Sequence, residues 1–170
     1  MQKPETIENR WDILYRDYPE VYEAFCEVSG GSIRDYEKML HIKNKTVVDI
    51  ASGTGHSTFS LARYAKKVIE IEPEEAMMKI ARQSLKQNGI KNVTFRKGTS
   101  DHIPLPDHSV DAVVAVGSAS FYNSDNIQRF VKESERILLN NGFIYSVDLA
   151  PGWYGGDLAP VIYGSSRRKT

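Results

Sequence analysis

The feature that most constrains the fold is an alternation of short, continuous apolar segments with helical segments between residues 46 and 149. A continuously apolar strand has no face suited to water, so such strands are typical of parallel sheets covered by helices on both faces. We therefore predict an α/β fold with a doubly wound, mostly parallel sheet. The predicted strands are 46–50, 68–71, 93–95, 110–116 and 143–149, and the predicted helices between them are 56–64, 74–87 and 124–139.

Two helices are predicted before the first strand. In the first, from residue 19, Val21, Phe25 and Val28 fall on one face at helical spacing before a Gly-Gly pair ends the helix. A Ser-x-x-Asp capping signal predicts the second, over residues 32–41. A length of 170 residues suits one domain. We expect its parts to be N-terminal helices over 1–43, a core over 46–149 and a loop-rich tail, with at most one short strand, over 150–170.

Composition excludes several classes of protein. The chain carries 22 Lys and Arg against 22 Asp and Glu, so no net positive charge favours a nucleic acid partner. One cysteine, Cys26, permits no internal disulfide and no thiolate zinc cluster, and the four histidines lack metal-ligand spacing. The longest apolar run, residues 112–116, is far shorter than the roughly 20 residues that cross a bilayer. These features predict a soluble, cytoplasmic protein without a metal site.

The segment VVDIASGTGHS connects the first strand to a helix and carries the strongest functional signal. Gly53 and Gly55 allow a tight turn and close approach of the backbone to a ligand at the start of a helix. Glu72 ends the second strand, where a carboxylate can accept the hydroxyls of a ribose. This pattern predicts a nucleoside cofactor. Thr58 stands where a dinucleotide-binding motif would have Gly or Ala, and no P-loop lysine is present, so both phosphate-binding alternatives weaken.

The spacing of Asp49, Ala51, Gly53 and Gly55 resembles the first motif of class I S-adenosylmethionine-dependent methyltransferases. Three further segments resemble that family in order: IEPEEAMM at 71–78, GTSDHIPLPDHSVDAVVA at 98–115, and the Asn-Asn-Gly turn before the fifth strand. The resemblance covers residues 46–149 and is nearest to quinone-biosynthesis methyltransferases. It implies a Rossmann-like sheet of five strands in the order 3-2-1-4-5, with S-adenosylmethionine as cofactor and S-adenosylhomocysteine as product.

The resemblance also implies the site residues. Asp49 would help to hold the amino group of the cofactor, Glu72 would bind the ribose, and Gly117 would pass close to the methionine end. Ala51 replaces the usual glycine, and Thr99 stands where an acid is common, with Asp101 as its substitute. The cofactor-binding candidates are Asp49, Ala51, Ser52, Gly53, Gly55, Glu72, Thr99, Ser100, Asp101 and Gly117. The candidates for contact with the methyl acceptor are Tyr18, Tyr22, Ser120, Phe121 and Tyr122.

The predicted reaction is methyl transfer to a small organic acceptor. Gly117-Ser118-Ala119-Ser120 stands where amino-methylating DNA enzymes have an Asn/Asp-Pro-Pro-aromatic motif, and no Pro-Cys nucleophile occurs. The cofactor supplies the electrophile, so no catalytic nucleophile is assigned to the protein. The alternatives are a cofactor-binding protein without catalysis, a partner subunit of a methyltransferase and, more distantly, a nicotinamide-dependent oxidoreductase.

The segment after residue 150 raises a question about the edge of the sheet. The family usually continues with strands six and seven, for which these twenty residues leave no room. The fifth strand would then have an exposed edge, which proteins normally cover. Either the tail around residues 158–163 folds back over that edge or two molecules pair there, and we expect a homodimer.

Overall fold

The computed structural model describes residues 10–28, 41–118, 124–148 and 159–163. Two helices come first, and strands and helices then alternate as the apolar segments predict. In chain order the elements are α1 (Arg10–Asp17), α2 (Pro19–Val28), β1 (Thr46–Ile50), α3 (His56–Ala62), β2 (Lys67–Glu72), α4 (Glu75–Gln87), β3 (Val93–Lys97), β4 (Val110–Val116), α5 (Ser124–Ile137), β5 (Leu138–Asp148) and β6 (Ala159–Tyr163).

The strands form one sheet in the order β3-β2-β1-β4-β5-β6. The first five are parallel, which confirms the predicted order 3-2-1-4-5. The order reverses between β1 and β4, where Val47 pairs with Ala112. In open sheets of this kind, ligands bind beyond the carboxyl ends of the strands at such a reversal.

The sixth strand corrects the expected edge of the sheet. β6 pairs antiparallel with β5, from Ile144 opposite Tyr163 to Asp148 opposite Ala159. The fifth strand therefore does not lie at the edge of the sheet, because the tail pairs with it. This is the first of the two arrangements considered above, in which the tail and not a second molecule covers the edge. Homodimer formation stays a prediction, now without the exposed β5 edge that motivated it.

Apolar side chains pack on both faces of the sheet. On one face, Val47 and Val68 contact Leu61 of α3 in a buried cluster. On the other, Val48 and Val113 belong to a cluster that includes Phe130 of α5. Residues one apart along a strand thus enter opposite cores, as strand geometry requires. Asp49 and Glu70, each two residues after a residue of the first cluster, lie on the α3 face.

The N-terminal region differs from the prediction in two ways. Helix α1 was not predicted, and residues 29–40, which carry most of the predicted second helix, lie outside the described residues. Helix α2 has the predicted position, but Val21 and Phe25 are each 58% exposed, so their face is not the packing face. Tyr22, Glu23 and Cys26, on the neighbouring face, are partly buried.

The connection into β5 is tighter than predicted. Helix α5 ends at Ile137, and β5 begins at once, so the predicted Asn-Asn-Gly turn lies inside the strand. The pairing of β4 with β5 is irregular between Val110 and Ala112. A Cβ at Gly142 would lie 2.7 Å from Leu138 Cδ2 and 3.0 Å from the Asp111 carbonyl oxygen, so a side chain there would require its neighbours to shift. Among the described residues, no helix combines the length and the apolar character that crossing a membrane requires.

Candidate functional site

The loop between β1 and α3 has a backbone that depends on left-handed residues. Gly53 and Gly55 have φ of 60° and 89°, and Ala51 has φ of 52°, which is unusual for a residue with a side chain. A Cβ at Gly55 would lie 2.9 Å from the Ala81 Cβ, whereas one at Gly53 would meet nothing closer than 3.6 Å. Gly55 is therefore required by helix packing as well as by φ, whereas a Cβ at Gly53 would make ordinary van der Waals contact with Met77 and Tyr22.

Glu72 connects this loop to the end of β2. Its Oε2 accepts a hydrogen bond from the Gly53 amide at 3.0 Å, and its Oε1 accepts one from the Glu74 amide at 3.0 Å. The side chain is 5% exposed, and this burial raises the pKa of Glu72, opposed by the two amide donors. The candidate ribose ligand thus has a fixed orientation beside the loop.

Asp49 lies beneath the same loop. Its Oδ2 accepts hydrogen bonds from the hydroxyls of Ser57 at 2.7 Å and Thr58 at 2.6 Å, which fixes the first turn of α3. Its Oδ1 is buried and has no partner among the described residues. Burial raises the pKa of Asp49 to about 6, opposed by the two hydroxyl donors. One carboxylate oxygen of this predicted site residue is therefore still available.

Glu70 is a third buried carboxylate, which the sequence analysis missed. It pairs in register with Asp49 and is fully buried, and neither of its oxygens has a hydrogen-bond partner among the described residues. Burial and, next, the Asp49 carboxylate raise the pKa of Glu70 to about 8, opposed by the nearby hydroxyls of Thr58 and Ser52. The signal in the sequence is an acid inside the apolar strand Val-Ile-Glu-Ile.

The loop after β3 carries the adenine-side candidates. The Thr99 hydroxyl donates to Asp101 Oδ1 at 2.7 Å, and Asp101 Oδ2 lies 3.7 Å from Arg129 Nε. Thr99 and His102 also exchange backbone hydrogen bonds. Asp101 is exposed and Ser100 is half-buried. Asp101 is therefore held from both sides while its carboxylate stays in reach of solvent.

Arg136 of α5 holds the continuation of this loop. Its guanidinium donates to the carbonyl oxygens of Ile103 and Leu105 and to Asp107 Oδ1, each at 2.8 Å. It also donates to both carboxylate oxygens of Glu133 at 2.9 Å, and Glu133 Oε2 accepts from the Ile103 amide. The Arg136 side chain thus holds two backbone carbonyls and one carboxylate of the loop. The sequence did not predict this network.

Helix α2 lies against the glycine loop. A Cβ at Gly53 would be 3.7 Å from Tyr22 Cε1, and Glu23 Oε2 lies 2.9 Å from His56 Nε2 at the start of α3. Burial and, next, the Cys26 thiol raise the pKa of Tyr22, and Glu72 is among the groups near enough to contribute. Tyr22 therefore lies at the site.

Of the remaining acceptor candidates, the structure describes Tyr18 alone, and these candidates stay predictions. Tyr18 is 57% exposed. Ser120, Phe121 and Tyr122 lie outside the described residues.

Gly117, just past β4, is exposed with φ of 65°, and its amide donates to the Val147 carbonyl at 2.7 Å. Within the described ranges, no three His, Cys, Asp or Glu side chains are grouped so that they could hold a metal ion.

The described candidates other than Tyr18 follow the carboxyl ends of neighbouring parallel strands or lie against them. The glycine loop follows β1, Glu72 ends β2, Thr99 and Asp101 follow β3, and Gly117 follows β4. A glycine turn with a carboxylate on the adjacent strand, at the reversal of strand order, defines an α/β protein with a site for a nucleoside cofactor.

Comparison with known proteins identifies which class this is. A family model described as a methyltransferase domain matches residues 48–146, so the chain belongs to this methyltransferase family. It is 28% identical over 102 residues to the uncharacterized methyltransferase YcgJ of Bacillus subtilis, covering 60% of this chain and 40% of that protein. It is 36% identical over 106 residues to a demethylmenaquinone methyltransferase of Tropheryma whipplei, covering 62% and 42%.

The solved structures agree on the fold. A SAM-dependent methyltransferase of Aquifex aeolicus superimposes with a TM-score of 0.71 at 24% identity, covering 82% of this chain and 77% of that one. The matched part spans about two fifths of the length of the two relatives above. The methyltransferase family and the Rossmann-like fold predicted from the sequence are thus confirmed.

Proposed function

We propose that this chain binds S-adenosylmethionine at the glycine loop and transfers its methyl group to a small organic acceptor. The observation that carries the proposal is the hydrogen bond between the Glu72 carboxylate and the Gly53 amide. It fixes a charged acceptor beside the glycine turn at the reversal of strand order. Membership of the methyltransferase family supports this cofactor over other nucleosides.

Glu72 has the acceptor capacity that a ribose needs. An ionised carboxylate offers about four acceptor positions on its two oxygens. Two of these are used by the amides of Gly53 and Glu74. The two that remain match the two hydroxyls of a ribose, and the amide bonds hold the carboxylate in place before the ligand arrives.

The methionine end of the cofactor is assigned to the loop from Ala51 to Gly55, which includes Ser52, and to Gly117. Gly53 supports this assignment, because a glycine in the left-handed region lets the backbone of the loop approach a ligand without an intervening side chain. Asp49 contributes negative charge from its buried position beneath the loop. This charge favours the amino group of the ligand.

The adenine is assigned to the loop that carries Thr99, Ser100 and Asp101. The Thr99 hydroxyl already donates to Asp101 Oδ1, so Asp101 Oδ2, which lies 3.7 Å from Arg129 Nε, is assigned as the acceptor for the adenine amino group. The network around Arg136 supports this role by fixing the next residues of the same loop.

The cofactor, when bound, supplies an activated methyl group for in-line attack by the acceptor. The protein's part is to bind, to align and to exclude water. Tyr22, which packs beside Gly53 and near Glu72, is assigned to the wall between cofactor and acceptor, with Tyr18, Ser120, Phe121 and Tyr122 as further acceptor contacts. A cytoplasmic location and a homodimer remain predictions from the sequence.

Calorimetry with S-adenosylmethionine, S-adenosylhomocysteine and NAD tests the proposal. We expect the first two to bind and NAD not to bind. Glu72→Ala should weaken S-adenosylhomocysteine about tenfold or more, because hydrogen bonds to charged groups contribute roughly 1.5–3 kcal/mol. Glu75→Ala is the matched control, since it removes an exposed carboxylate three residues away. Equal dissociation constants for the two variants would contradict the ribose assignment, and binding of NAD alone would contradict the cofactor.

A methyl-transfer assay then separates an enzyme from a binding protein. Small phenolic and quinol compounds are the first acceptors to try, because one relative acts in menaquinone biosynthesis by its name. Release of S-adenosylhomocysteine in the presence of an acceptor supports catalysis. Cofactor binding without turnover of any acceptor would favour the non-catalytic alternative.

A further inference from the structure

Buried polar atoms without partners are concentrated beneath the glycine loop. Seven buried side-chain oxygens lack a hydrogen-bond partner among the described residues, and five of them belong to this region. Buried polar groups are normally paired, so such a cluster requires an explanation. The five atoms are Asp49 Oδ1, Ser52 Oγ, Thr54 Oγ1 and both carboxylate oxygens of Glu70.

The two acids of this cluster are direct neighbours. Asp49 and Glu70 are register partners on parallel strands, so their side chains point to the same face of the sheet. Both are fully buried. A Cβ at Gly55 would lie 3.7 Å from Glu70 Oε2, so the Glu70 carboxyl group reaches the underside of the glycine loop.

The charged groups around the pair do not offer it a cation. Of the other charged groups, only Glu72 contributes to the environment of Glu70, and it is also a carboxylate. His56 of α3 is bonded to Glu23 of α2, and Arg82 of α4 is bonded to Glu75 and stacks on Phe95. Two adjacent buried carboxylates without a cation do not both stay ionised. The other titratable groups described on the elements packed here are Glu72, Lys67, His56, Glu74, Glu75, Lys79, Arg82, Lys86, Glu20, Tyr22, Glu23 and Cys26. None of the lysine and arginine side chains among them contributes to the environment of Glu70.

We propose that Glu70 is a positioning residue, which holds Asp49 and the glycine loop above it by donating one shared proton to Asp49 Oδ1. Asp49 is the ionised member, because its Oδ2 already accepts two hydroxyl hydrogen bonds. Glu70 is the protonated member, because neither of its oxygens has a hydrogen-bond partner among the described residues and burial raises its pKa to about 8, opposed by the nearby Thr58 and Ser52 hydroxyls. The proton gives Asp49 Oδ1 its missing donor.

The proposal fixes the sign of a pH dependence. The pKa of Glu70 is raised in the folded state, so the folded protein binds this proton more tightly than the unfolded chain. The stabilisation is complete below the ordinary glutamate pKa and is lost as the pH rises through about 8. Glu70→Gln is neutral at every pH and its amide can donate to Asp49, so it should remove this dependence.

Thermal unfolding between pH 6 and pH 9 tests the shared proton without any ligand. The melting temperature of the wild type should fall by at least about 5 °C more than that of Glu70→Gln over this range. Glu135→Gln, which changes an exposed acid of α5, is the matched control and should behave like the wild type. Parallel curves for the wild type and Glu70→Gln would overturn the proposal.

The positioning role rests on the proposed cofactor site and has its own test at pH 6.5. S-adenosylhomocysteine should bind Glu70→Gln within about twofold of the wild type and Glu70→Met about tenfold more weakly, because methionine leaves Asp49 Oδ1 without a donor. Equal affinities of the two variants would refute the positioning role. If the wild type binds no S-adenosylhomocysteine, the proposed function fails, while the pH test still decides whether the proton is shared.

Discussion

Replacing Arg136 measures how much one guanidinium group, which binds the loop after β3, contributes to the thermal stability of the protein. The side chain donates to the carbonyl oxygens of Ile103 and Leu105 and pairs with Glu133 and Asp107. Arg136→Ala removes all of these contacts at once. Arg136→Lys keeps the charge but not the planar arrangement of donors.

The expected cost follows from the exposure of each partner. The Arg136 side chain is 30% exposed and Asp107 is 66% exposed, so the two ion pairs together contribute only about 1 kcal/mol. The two carbonyls lose hydrogen bonds to a charged donor, which adds about 1–2 kcal/mol after allowance for solvent. A total of about 2–3 kcal/mol corresponds to a fall of about 5–10 °C in melting temperature for a chain of this size.

Thermal denaturation followed by circular dichroism provides the measurement. Arg136→Lys should show about half the loss, because a single ammonium can satisfy only some of the partners. Lys132→Ala, an exposed position on the same helix, is the control and should stay within about 1 °C of the wild type. A melting temperature for Arg136→Ala close to that of Lys132→Ala would refute the reasoning.

Two further predictions concern the glycine loop. Ala51→Gly should raise the melting temperature by about 1–3 °C, because relief of the left-handed strain at φ of 52° exceeds the added freedom of the unfolded chain. A decrease would show that the Ala51 methyl group contributes packing that outweighs the strain. Gly55→Ala should destabilise more than Gly53→Ala by about 1–3 kcal/mol, because only the former places its Cβ 2.9 Å from Ala81. Denaturant unfolding of both variants compares them, and equal losses would contradict the packing argument.

The parallel core was predictable because each of its strands must bury side chains on both faces. The segment 110–116, for example, is apolar at six of its seven positions, and β4 has these bounds. The sixth strand was not predictable in the same way. β6 has only five residues, and Pro160 among them argues against a strand from the sequence. Pro160 is tolerated because β6 lies at the edge of the described sheet and pairs with β5 on one side.

The N-terminal helix shows where periodicity fails. Val21 and Phe25 form a regular apolar stripe on α2, yet they are exposed and Tyr22 faces the glycine loop instead. The face by which a short helix packs depends on the part of the fold that it contacts, and not on its own apolar stripe alone. The hydrogen bond between Glu23 and His56 joins residues 33 apart, and such a contact leaves no local signal in the sequence.

Some residues of the candidate site were predictable from the sequence and others were not. Gly53, Gly55 and Glu72 were found because a turn and a strand end have local signatures. The network of Arg136 and the burial of Glu70 were missed, because both depend on elements that meet only in the folded chain. Glu70 is a polar residue in an apolar strand, but the sequence gives no indication that its carboxyl group lacks a hydrogen-bond partner.

The charges beneath the loop bear on the choice between cofactors. Asp49 and Glu72 are buried within reach of the glycine turn, and the hydrogen bonds that the structure describes for them come from hydroxyls and backbone amides. In a dinucleotide site, the pyrophosphate lies over this turn and would meet the Asp49 charge at low effective dielectric. A ligand with an ammonium and a sulfonium group at the same place is attracted by that charge. The arrangement that disfavours NAD thus supports S-adenosylmethionine, and a shared proton on Glu70 limits the repulsion between the acids until such a ligand binds.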